Sequence, residues 1–261
     1  MFSRLFGALC ILFIFFLMCA FECFFSVFIY IFGLLALFEF ININKKYPLY
    51  IYIVSVIAFS FLVFFNIFNQ SLSINYNIFA FIFLILLIPV VFNYGRDLYN
   101  IGDAFYIISG VLFLGIAFSE LIVIHNINIY IFIYVFLIGF ICDASSYIIG
   151  TFFGKHLMFA SLSPNKTFEG MFGGLLFGTL VPIIYYVCVF PSCNIIYISF
   201  ITLFLCLLGV FGDLCFSAIK RYYHKKDFSK IIPGHGGILD RFDSIIFIVM
   251  GVVLLINYIG G

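Results

Sequence analysis

Nine long apolar segments, joined by short polar connections, constrain the fold of this chain more than any other feature. They cover roughly residues 5–21, 23–42, 48–66, 76–94, 104–124, 129–150, 169–190, 195–219 and 244–260. A helix needs about 20 mostly apolar residues to cross the hydrocarbon core of a bilayer. The chain is 66% hydrophobic and 9% charged, more apolar than a soluble domain of its size can bury. The pattern therefore predicts an all-α polytopic membrane protein with about nine transmembrane helices.

The basic residues predict how these helices are oriented. If the N-terminus is cytoplasmic, nine spans place all 12 Lys and Arg residues on one side of the membrane. The positive-inside rule assigns that side to the cytoplasm. Only Glu22 separates the first two segments, so they form a tight hairpin or one interrupted helix. Merging them would place Arg4 opposite all the other basic residues, which favours nine spans.

The polar residues divide the chain into two regions. The N-terminal transmembrane region, 1–95, carries few polar groups, whereas the transmembrane region 96–261 holds nearly all of those that need an explanation. We expect two cytoplasmic loops in the second region, at 151–168 and 220–243.

Cysteine usage and net charge exclude two kinds of site. Most of the eight Cys residues lie in apolar runs, where a free thiol behaves as a small hydrophobe, and no Cys/His spacing indicates zinc. Cys188 and Cys193 flank a short connection around Pro191, which leaves a disulfide open there. The net charge is +1, and the basic residues lie at membrane edges rather than on an exposed face. We therefore expect no nucleic-acid partner.

One stretch, 217–243, concentrates the charges that the rest of the chain lacks. It reads SAIKRYYHKKDFSKIIPGHGGILDRFD. Acids, bases and glycines in one place are typical of a site for a polyphosphate and a divalent cation at a membrane edge. Counted at 3.6 residues per turn, Asp213 in the preceding span shares one helix face with Ser217, Lys220 and Arg221.

Carboxylates in this region predict a cation site. An ionisable group inside a span is costly, so Asp213 must be paired, metal-bound or facing water. A salt bridge to Lys220, two turns later, is the structural alternative. Asp240 and Asp243, at i and i+3, can face one point, and Asp143 can add a carboxylate from another span. Such a set suits Mg²⁺, alone or with a second cation, because Mg²⁺ prefers oxygen ligands and shares them with substrate phosphate.

The SPNKT motif at 163–167 has the character of a phosphate-binding loop. Lys166 offers a positive charge, Ser163 and Thr167 offer hydroxyls, and Glu169 follows in the first turn of a helix, where the dipole favours an acid. The alternative is an ordinary helix N-cap with one exposed lysine.

The PGHGG motif has a similar character. Gly236 and Gly237 permit close backbone approach to a ligand and N–H donation to phosphate oxygens. His235 between glycines can orient a phosphate or transfer a proton near neutral pH. A flexible turn with a surface histidine is the alternative.

Together, these motifs resemble the signature of phosphatidate cytidylyltransferases (CDP-diacylglycerol synthases). The matching positions in the charged stretch are Ser217, Ile219, Lys220, Arg221, Lys226, Asp227, Ser229, Ile232, Pro233, His235, Gly236, Gly237, Ile238, Asp240, Arg241, Phe242 and Asp243. Further matches are Asp143, Tyr147, Gly150, Gly154, Lys155, Ser163, Pro164, Lys166, Thr167, Glu169, Gly170, Gly212, Asp213 and Leu214. The resemblance thus spans most of 140–245. Before it, only Phe-Glu-Phe at 38–40 is similar, where the family tends to have a Trp-Glu pair.

The resemblance implies transfer of CMP from CTP to phosphatidate, giving CDP-diacylglycerol and pyrophosphate. It also implies a Mg²⁺-dependent helical homodimer in the bacterial inner (plasma) membrane, with a polar cavity facing the cytoplasm. Metal binding falls to Asp213 and Asp240, with Asp243 and Asp143 as further candidates. The candidate phosphate-holding residues are Lys166, Lys220, Arg221, Lys226 and Arg241. Ser163, Thr167 and Ser217 are expected to orient oxygens, and His235, Gly236 and Gly237 to lie near the nucleotide.

Two other functions stay open at this point. Another CTP-using membrane enzyme, such as a polyprenol kinase or a synthase acting on ether-lipid phosphate, would share the cytidine nucleotide. A transporter would use Asp213 as an ion site and would surround a path open to both sides with polar residues. Here the polar residues gather at the predicted cytoplasmic ends, which favours an enzyme.

Overall fold

The computed structural model describes residues 22–69, 76–96, 98–159, 162–163, 166–231 and 236–259. Within these ranges the regular structure consists of eight α-helices. They are α1 (Glu22–Asn44), α2 (Leu49–Asn69), α3 (Tyr76–Phe92), α4 (Ile101–Ile127), α5 (Ile129–Phe153), α6 (Phe168–Val189), α7 (Ile195–Tyr222) and α8 (Leu239–Ile259). Each corresponds to one predicted segment, while the segment at 5–21 and Arg4 lie outside the described residues.

Six of these helices, α1, α2, α4, α5, α6 and α7, are long and apolar enough to cross a membrane by length and composition. The chain is therefore an all-α integral membrane protein. α3 is apolar but shorter, with 17 residues and a proline, Pro89, inside it.

The two helix boundaries on either side of the charged stretch differ from the sequence prediction. α7 continues through Lys220 and Arg221 to Tyr222, and α8 begins at Leu239 rather than near 244. Basic residues in a last turn and acids in a first turn suit the helix dipole, so the charged residues extend the helices instead of ending them. As a result Asp240 and Asp243 belong to the beginning of α8, and the connection between the two helices is shorter than 220–243.

The described residues divide into two compact units. Those up to Val123 and those in Asp227–Asp240 form the first unit, and those in Ile124–Lys226 and from Arg241 onward form the second. α8 therefore begins in the first unit and continues in the second.

In the first unit, Asp103 anchors the beginning of α4. Its backbone N–H donates to Asn100 Oδ1 at 2.8 Å, and its own Oδ2 accepts from the Asn100 N–H at 3.0 Å. This reciprocal pair satisfies N–H groups that a helix leaves without partners at its start. Lys45 Nζ lies 2.7 Å from Asp103 Oδ2, and the Tyr47 hydroxyl donates to Oδ1 at 3.0 Å. The carboxylate thus ties the end of α1 to the start of α4.

In the second unit, α6 packs closely on α5 along a row of small residues. A Cβ added at Gly174 would collide with Ser146 Oγ, and one added at Gly170 would lie 2.7 Å from the Ser146 carbonyl oxygen. At Gly178 it would lie 2.8 Å from Cys142 Cβ. The Gly-x3-Gly-x3-Gly spacing lets the two backbones approach, as small-residue motifs do between membrane helices.

Replacing Gly174 by leucine is expected to separate α5 from α6 and to destabilise the protein by at least about 1–3 kcal/mol, the usual cost of overpacking. Phe172→Leu on the same helix is the matched control, because Phe172 is 64% exposed. Thermal unfolding in detergent measures both variants. Equal melting temperatures for Gly174→Leu and the wild type would contradict this packing.

Candidate functional site

Asp213, in the second unit, is held by a lysine from a distant part of the chain. Lys166 Nζ donates to Asp213 Oδ2, and the two groups form an ion pair. The Ser217 hydroxyl, one turn further along α7, donates to the other carboxylate oxygen at 3.4 Å. The sequence offered Lys220 as the structural partner of Asp213; the structure instead supplies a cation from the loop before α6. The pair is only partly buried, with 28% and 27% of the side chains exposed.

The loop carrying Lys166 is fixed by short-range hydrogen bonds. Leu157 and Thr167 form an antiparallel bridge, and the Met158 N–H donates to the Lys166 carbonyl oxygen at 2.8 Å. Thr167 is the N-cap of α6, since its hydroxyl accepts from the Gly170 N–H at 3.1 Å. The N-cap that the sequence left as the alternative for SPNKT is therefore present at Thr167, but Lys166 is half-buried rather than exposed.

Glu169, in the first turn of α6, also stabilises this loop by hydrogen bonds. Its Oε2 accepts from the backbone N–H groups of Lys155 at 3.1 Å and His156 at 3.2 Å. Its Oε1 lies 2.6 Å from His156 Nδ1. The acid thus connects the two ends of the loop.

Arg221 holds the loop at a third point. Its Nε donates to the Leu162 carbonyl oxygen at 3.1 Å, and Nη1 donates to the Lys225 carbonyl oxygen at 3.1 Å. Arg221, predicted to hold phosphate, therefore joins the connection before α6 to the connection after α7 through their backbones.

A cavity of about 300 Å³ opens beside the Lys166–Asp213 pair. Its lining consists of Asp143, Ser146, Tyr147, Met158, Ser163, Lys166, Thr167, Gly170, Met171, Val210 and Asp213. Four predicted site residues of the SPNKT loop and α7, namely Ser163, Lys166, Thr167 and Asp213, share this lining with Asp143 of α5. The cavity combines acidic, basic and hydroxyl groups with the apolar side chains of two methionines and a valine.

A further carboxylate, that of Asp243 in α8, lies within electrostatic reach of Asp143 and Asp213 in this lining. The Ser244 hydroxyl donates to Asp143 Oδ2 at 3.0 Å. Asp243 is 9% exposed and Oδ1 accepts from the Ser244 N–H at 2.9 Å. Lys220 also lies within electrostatic reach of Asp243. Acids from α5, α7 and α8 thus lie within electrostatic reach of one another.

The donor chemistry of these acids fits a divalent cation that arrives with its substrate. Within the described ranges, no group of three or more His, Cys, Asp or Glu side chains is arranged as a ready-made metal site. Mg²⁺, however, is usually held by one or two carboxylates together with substrate phosphates and water. Asp213 and Asp143 offer hard oxygen donors in the cavity lining, so the residues suit that mode of binding.

Asp240, in the first unit, closes the glycine turn before α8. Its Oδ2 accepts from the Gly237 N–H at 2.9 Å and from the Phe228 N–H at 3.0 Å. Gly236 has φ +86°, a left-handed conformation that glycine adopts without strain. That Asp240 binds a metal stays a prediction. One of its carboxylate oxygens, Oδ2, already accepts the two hydrogen bonds that shape this turn.

Glu39 of α1 holds the same turn from another side. It is 3% exposed and accepts hydrogen bonds from the Ser229 hydroxyl at 2.6 Å, the Ile238 N–H at 2.9 Å and the Leu239 N–H at 2.8 Å. A Cβ added at Gly237 would lie 2.5 Å from Glu39 Oε2. Gly237 is therefore buried against a carboxylate, and its N–H serves Asp240, whereas the sequence predicted that it approaches a ligand.

The remaining predicted residues lie in different settings. Lys220 is buried, Lys226 is exposed, and Arg241 is within electrostatic reach of Asp143. His235 lies outside the described residues. Cys188 and Cys193 are both free thiols, so the disulfide left open by the sequence does not form.

The sequence analysis missed Glu39 as a structural partner of the glycine turn and the glycine row of α6. Each had a signal. A charged residue within a span, as in the Phe-Glu-Phe of α1, is by default a sign of function. The Gly170, Gly174, Gly178 spacing is a recognised helix-packing motif.

Comparison with known proteins identifies the family of this chain. A model of the cytidylyltransferase family matches residues 3–259. Proteins named phosphatidate cytidylyltransferase from Staphylococcus haemolyticus and Staphylococcus aureus are each 37% identical over 153 residues, and one from Staphylococcus epidermidis is 38% identical over the same length. Each match covers 59% of this chain and 59% of the relative. Since the family match extends over nearly the whole sequence, the chain belongs to the cytidylyltransferase family.

Proposed function

We propose that this chain transfers CMP from CTP to phosphatidate, producing CDP-diacylglycerol and pyrophosphate for phospholipid biosynthesis. The observation that carries the proposal is the Lys166–Asp213 pair, which lies in a cavity with Asp143 and the hydroxyls of Ser163 and Thr167. The staphylococcal relatives bear the name of this activity. The chain spans about three fifths of their length, so the acceptor and the products are part of the proposal.

The setting of the enzyme is part of the same proposal. Nine spans with a cytoplasmic N-terminus would place every Lys and Arg on the cytoplasmic side. The catalytic cavity would then face the cytoplasm, where CTP is present, in the inner membrane of a bacterium. We further propose a homodimer as the assembled form.

The reaction requires positioning rather than a protein nucleophile. A phosphate oxygen of phosphatidate attacks the α-phosphorus of CTP, and the bond between that phosphorus and the oxygen leading to the β-phosphate breaks. Pyrophosphate leaves with the bonding electrons. Catalysis then depends on holding two polyanions in line and on stabilising negative charge on the departing oxygens.

The basic residues are suited to these two tasks. Lys166 stands in the cavity and can exchange its ion pair with Asp213 for a phosphate oxygen. Lys220, Lys226 and Arg241 are the further candidates for holding phosphates. Arg221 keeps the Lys166 loop in place through the Leu162 carbonyl, so its loss would displace Lys166 as well.

Mg²⁺ would be held by Asp213 and Asp143 together with the substrate phosphates, with Asp240 and Asp243 as additional candidate ligands. When bound, it would neutralise charge on the polyphosphate and polarise the reacting phosphorus. Ser217 supports Asp213, and Ser244 supports Asp143, by hydrogen bonds that orient the two carboxylates.

The choice of acceptor tests this proposal against related CTP-using enzymes. Purified protein is given labelled CTP and Mg²⁺ with phosphatidate, with a polyprenol, or with no lipid. We expect a labelled lipid only with phosphatidate. Labelled product from the polyprenol, or from neither lipid, would contradict the proposed acceptor.

A further inference from the structure

Glu39 occupies a position where a charged side chain is costly. It lies within the apolar helix α1 and is 3% exposed. Burial of a carboxylate is tolerated only when hydrogen bonds compensate for the lost water. Both oxygens are compensated here, by the Ser229 hydroxyl and the N–H groups of Ile238 and Leu239.

Two of these donors, the N–H groups of Ile238 and Leu239, belong to a single turn, the segment from Gly236 to Asp240 that leads into α8. The third donor, the Ser229 hydroxyl, lies earlier in the connection between α7 and α8. The first N–H groups of a helix lack partners within it and carry partial positive charge. Glu39 satisfies two of them, while Asp240 accepts from the Gly237 N–H. Three successive N–H groups are therefore used by two carboxylates of the protein itself.

These hydrogen bonds reduce the number of backbone N–H groups in the glycine turn that could bind a nucleotide phosphate. The N–H groups of Gly237, Ile238 and Leu239 are engaged and are not free to bind phosphate oxygens. The glycines serve close packing instead, since Gly237 leaves room for the Glu39 carboxylate at a distance where any Cβ would collide.

We propose that Glu39 is a positioning residue of the reaction: it fixes the Gly236–Asp240 turn in the conformation that accepts CTP, without touching the substrate. The proposal rests on the function proposed above. It assigns a role in nucleotide binding to the N-terminal transmembrane region, which the sequence left without one.

Substitutions of Glu39 and of the residues that contact it test the proposal. Glu39→Gln keeps the shape but replaces one accepting oxygen by a donor, so at least one N–H of the turn loses its partner. We expect the KM for CTP to rise about tenfold or more, as for loss of a buried charged hydrogen bond, and the KM for phosphatidate to stay within about twofold. Ser229→Ala removes one donor and should raise the KM for CTP about threefold.

Gly237→Ala breaks the same contact from the side of the turn. Its φ is not in the left-handed range, so the new methyl group meets chiefly the Glu39 carboxylate. We expect the phenotype of Glu39→Gln. In the double variant Glu39→Ala/Gly237→Ala the methyl group enters space that the carboxylate has left, so the double variant should be no worse than Glu39→Ala alone. Additive losses would overturn the proposal.

Hydrogen–deuterium exchange gives a readout that does not depend on turnover. In Glu39→Gln the amides of Ile238 and Leu239 should exchange faster than in the wild type, while Glu120→Gln, a change at another buried acid, leaves them protected. Unchanged exchange, or a parallel rise of both KM values, would overturn the positioning role. If Glu39 variants do not fold, the KM values and the hydrogen–deuterium exchange of Ser229→Ala and Gly237→Ala test the positioning role instead. A wild-type protein that does not use CTP would instead refute the proposed function.

Discussion

Asp213→Asn is expected to lower turnover of CTP by at least about a hundredfold, the usual cost of removing one electrostatic contributor to a phosphoryl or acyl transfer. Two effects combine. The variant loses a carboxylate donor for the cation, and it leaves Lys166 without its anionic partner in the cavity. The freed ammonium group would then bind substrate phosphate in the ground state, so the KM for CTP should change less than kcat.

Glu120→Gln is the matched control for this variant. Glu120 is also an acid of a membrane helix, but it is buried in α4 and lines no described part of the cavity. Its Oε2 has no hydrogen-bond partner among the residues that the structure describes, so an amide of the same shape replaces it at little cost. We expect the activity of Glu120→Gln to stay within about threefold of the wild type, because glutamine keeps the shape of the glutamate side chain and the substitution does not touch the cavity beside Asp213. Full activity of Asp213→Asn would contradict the assignment of the site.

Chelation of divalent cations is expected to lower turnover by about three orders of magnitude, since a metal ion supplies several kcal/mol of charge stabilisation to such a reaction. Adding Mg²⁺ in excess of the chelator should restore the rate. Activity measured against free Mg²⁺ concentration, at saturating CTP and phosphatidate, gives the concentration required for half-maximal rate.

Asp143→Asn distinguishes the cavity carboxylates from other sources of cation dependence. It removes one negative charge from the lining but retains an oxygen that can accept from Ser244. We expect about tenfold more Mg²⁺ to be needed for half-maximal activity, in line with the weakening seen when charge or support around a metal is lost. Full turnover in the presence of chelator would show that the acids serve another purpose.

The helices were predictable because bilayer thickness and hydrophobicity act locally along the chain. The segments at 129–150 and 195–219 correspond to α5 and α7 within a few residues. The ends of the helices were less predictable. The charged residues Lys220 and Asp240 suggested a loop, but they lie in helical turns, where the helix dipole favours their charges. The Asn100–Asp103 pair that starts α4 likewise depends on side chains at a boundary.

The site was predictable in its residue types but not in its pairings. Asp213 and Lys166 were both singled out, yet their ion pair joins two elements far apart in the chain, which periodicity cannot reveal. Arg221 shows the same limitation, because its backbone partners at Leu162 and Lys225 carry no signal in residue type. Glu39 was missed for the related reason that a buried carboxylate finds its donors only after the chain folds.

The fate of the α- and γ-phosphates of CTP distinguishes cytidylyl transfer from phosphoryl transfer. Wild-type protein is incubated with phosphatidate and CTP labelled at either the α- or the γ-phosphate, and the lipid and aqueous phases are counted. We expect the α label to enter the lipid and the γ label to appear only in pyrophosphate. A lipid carrying the γ label would indicate a kinase, and a lipid carrying neither label would contradict cytidylyl transfer by this chain.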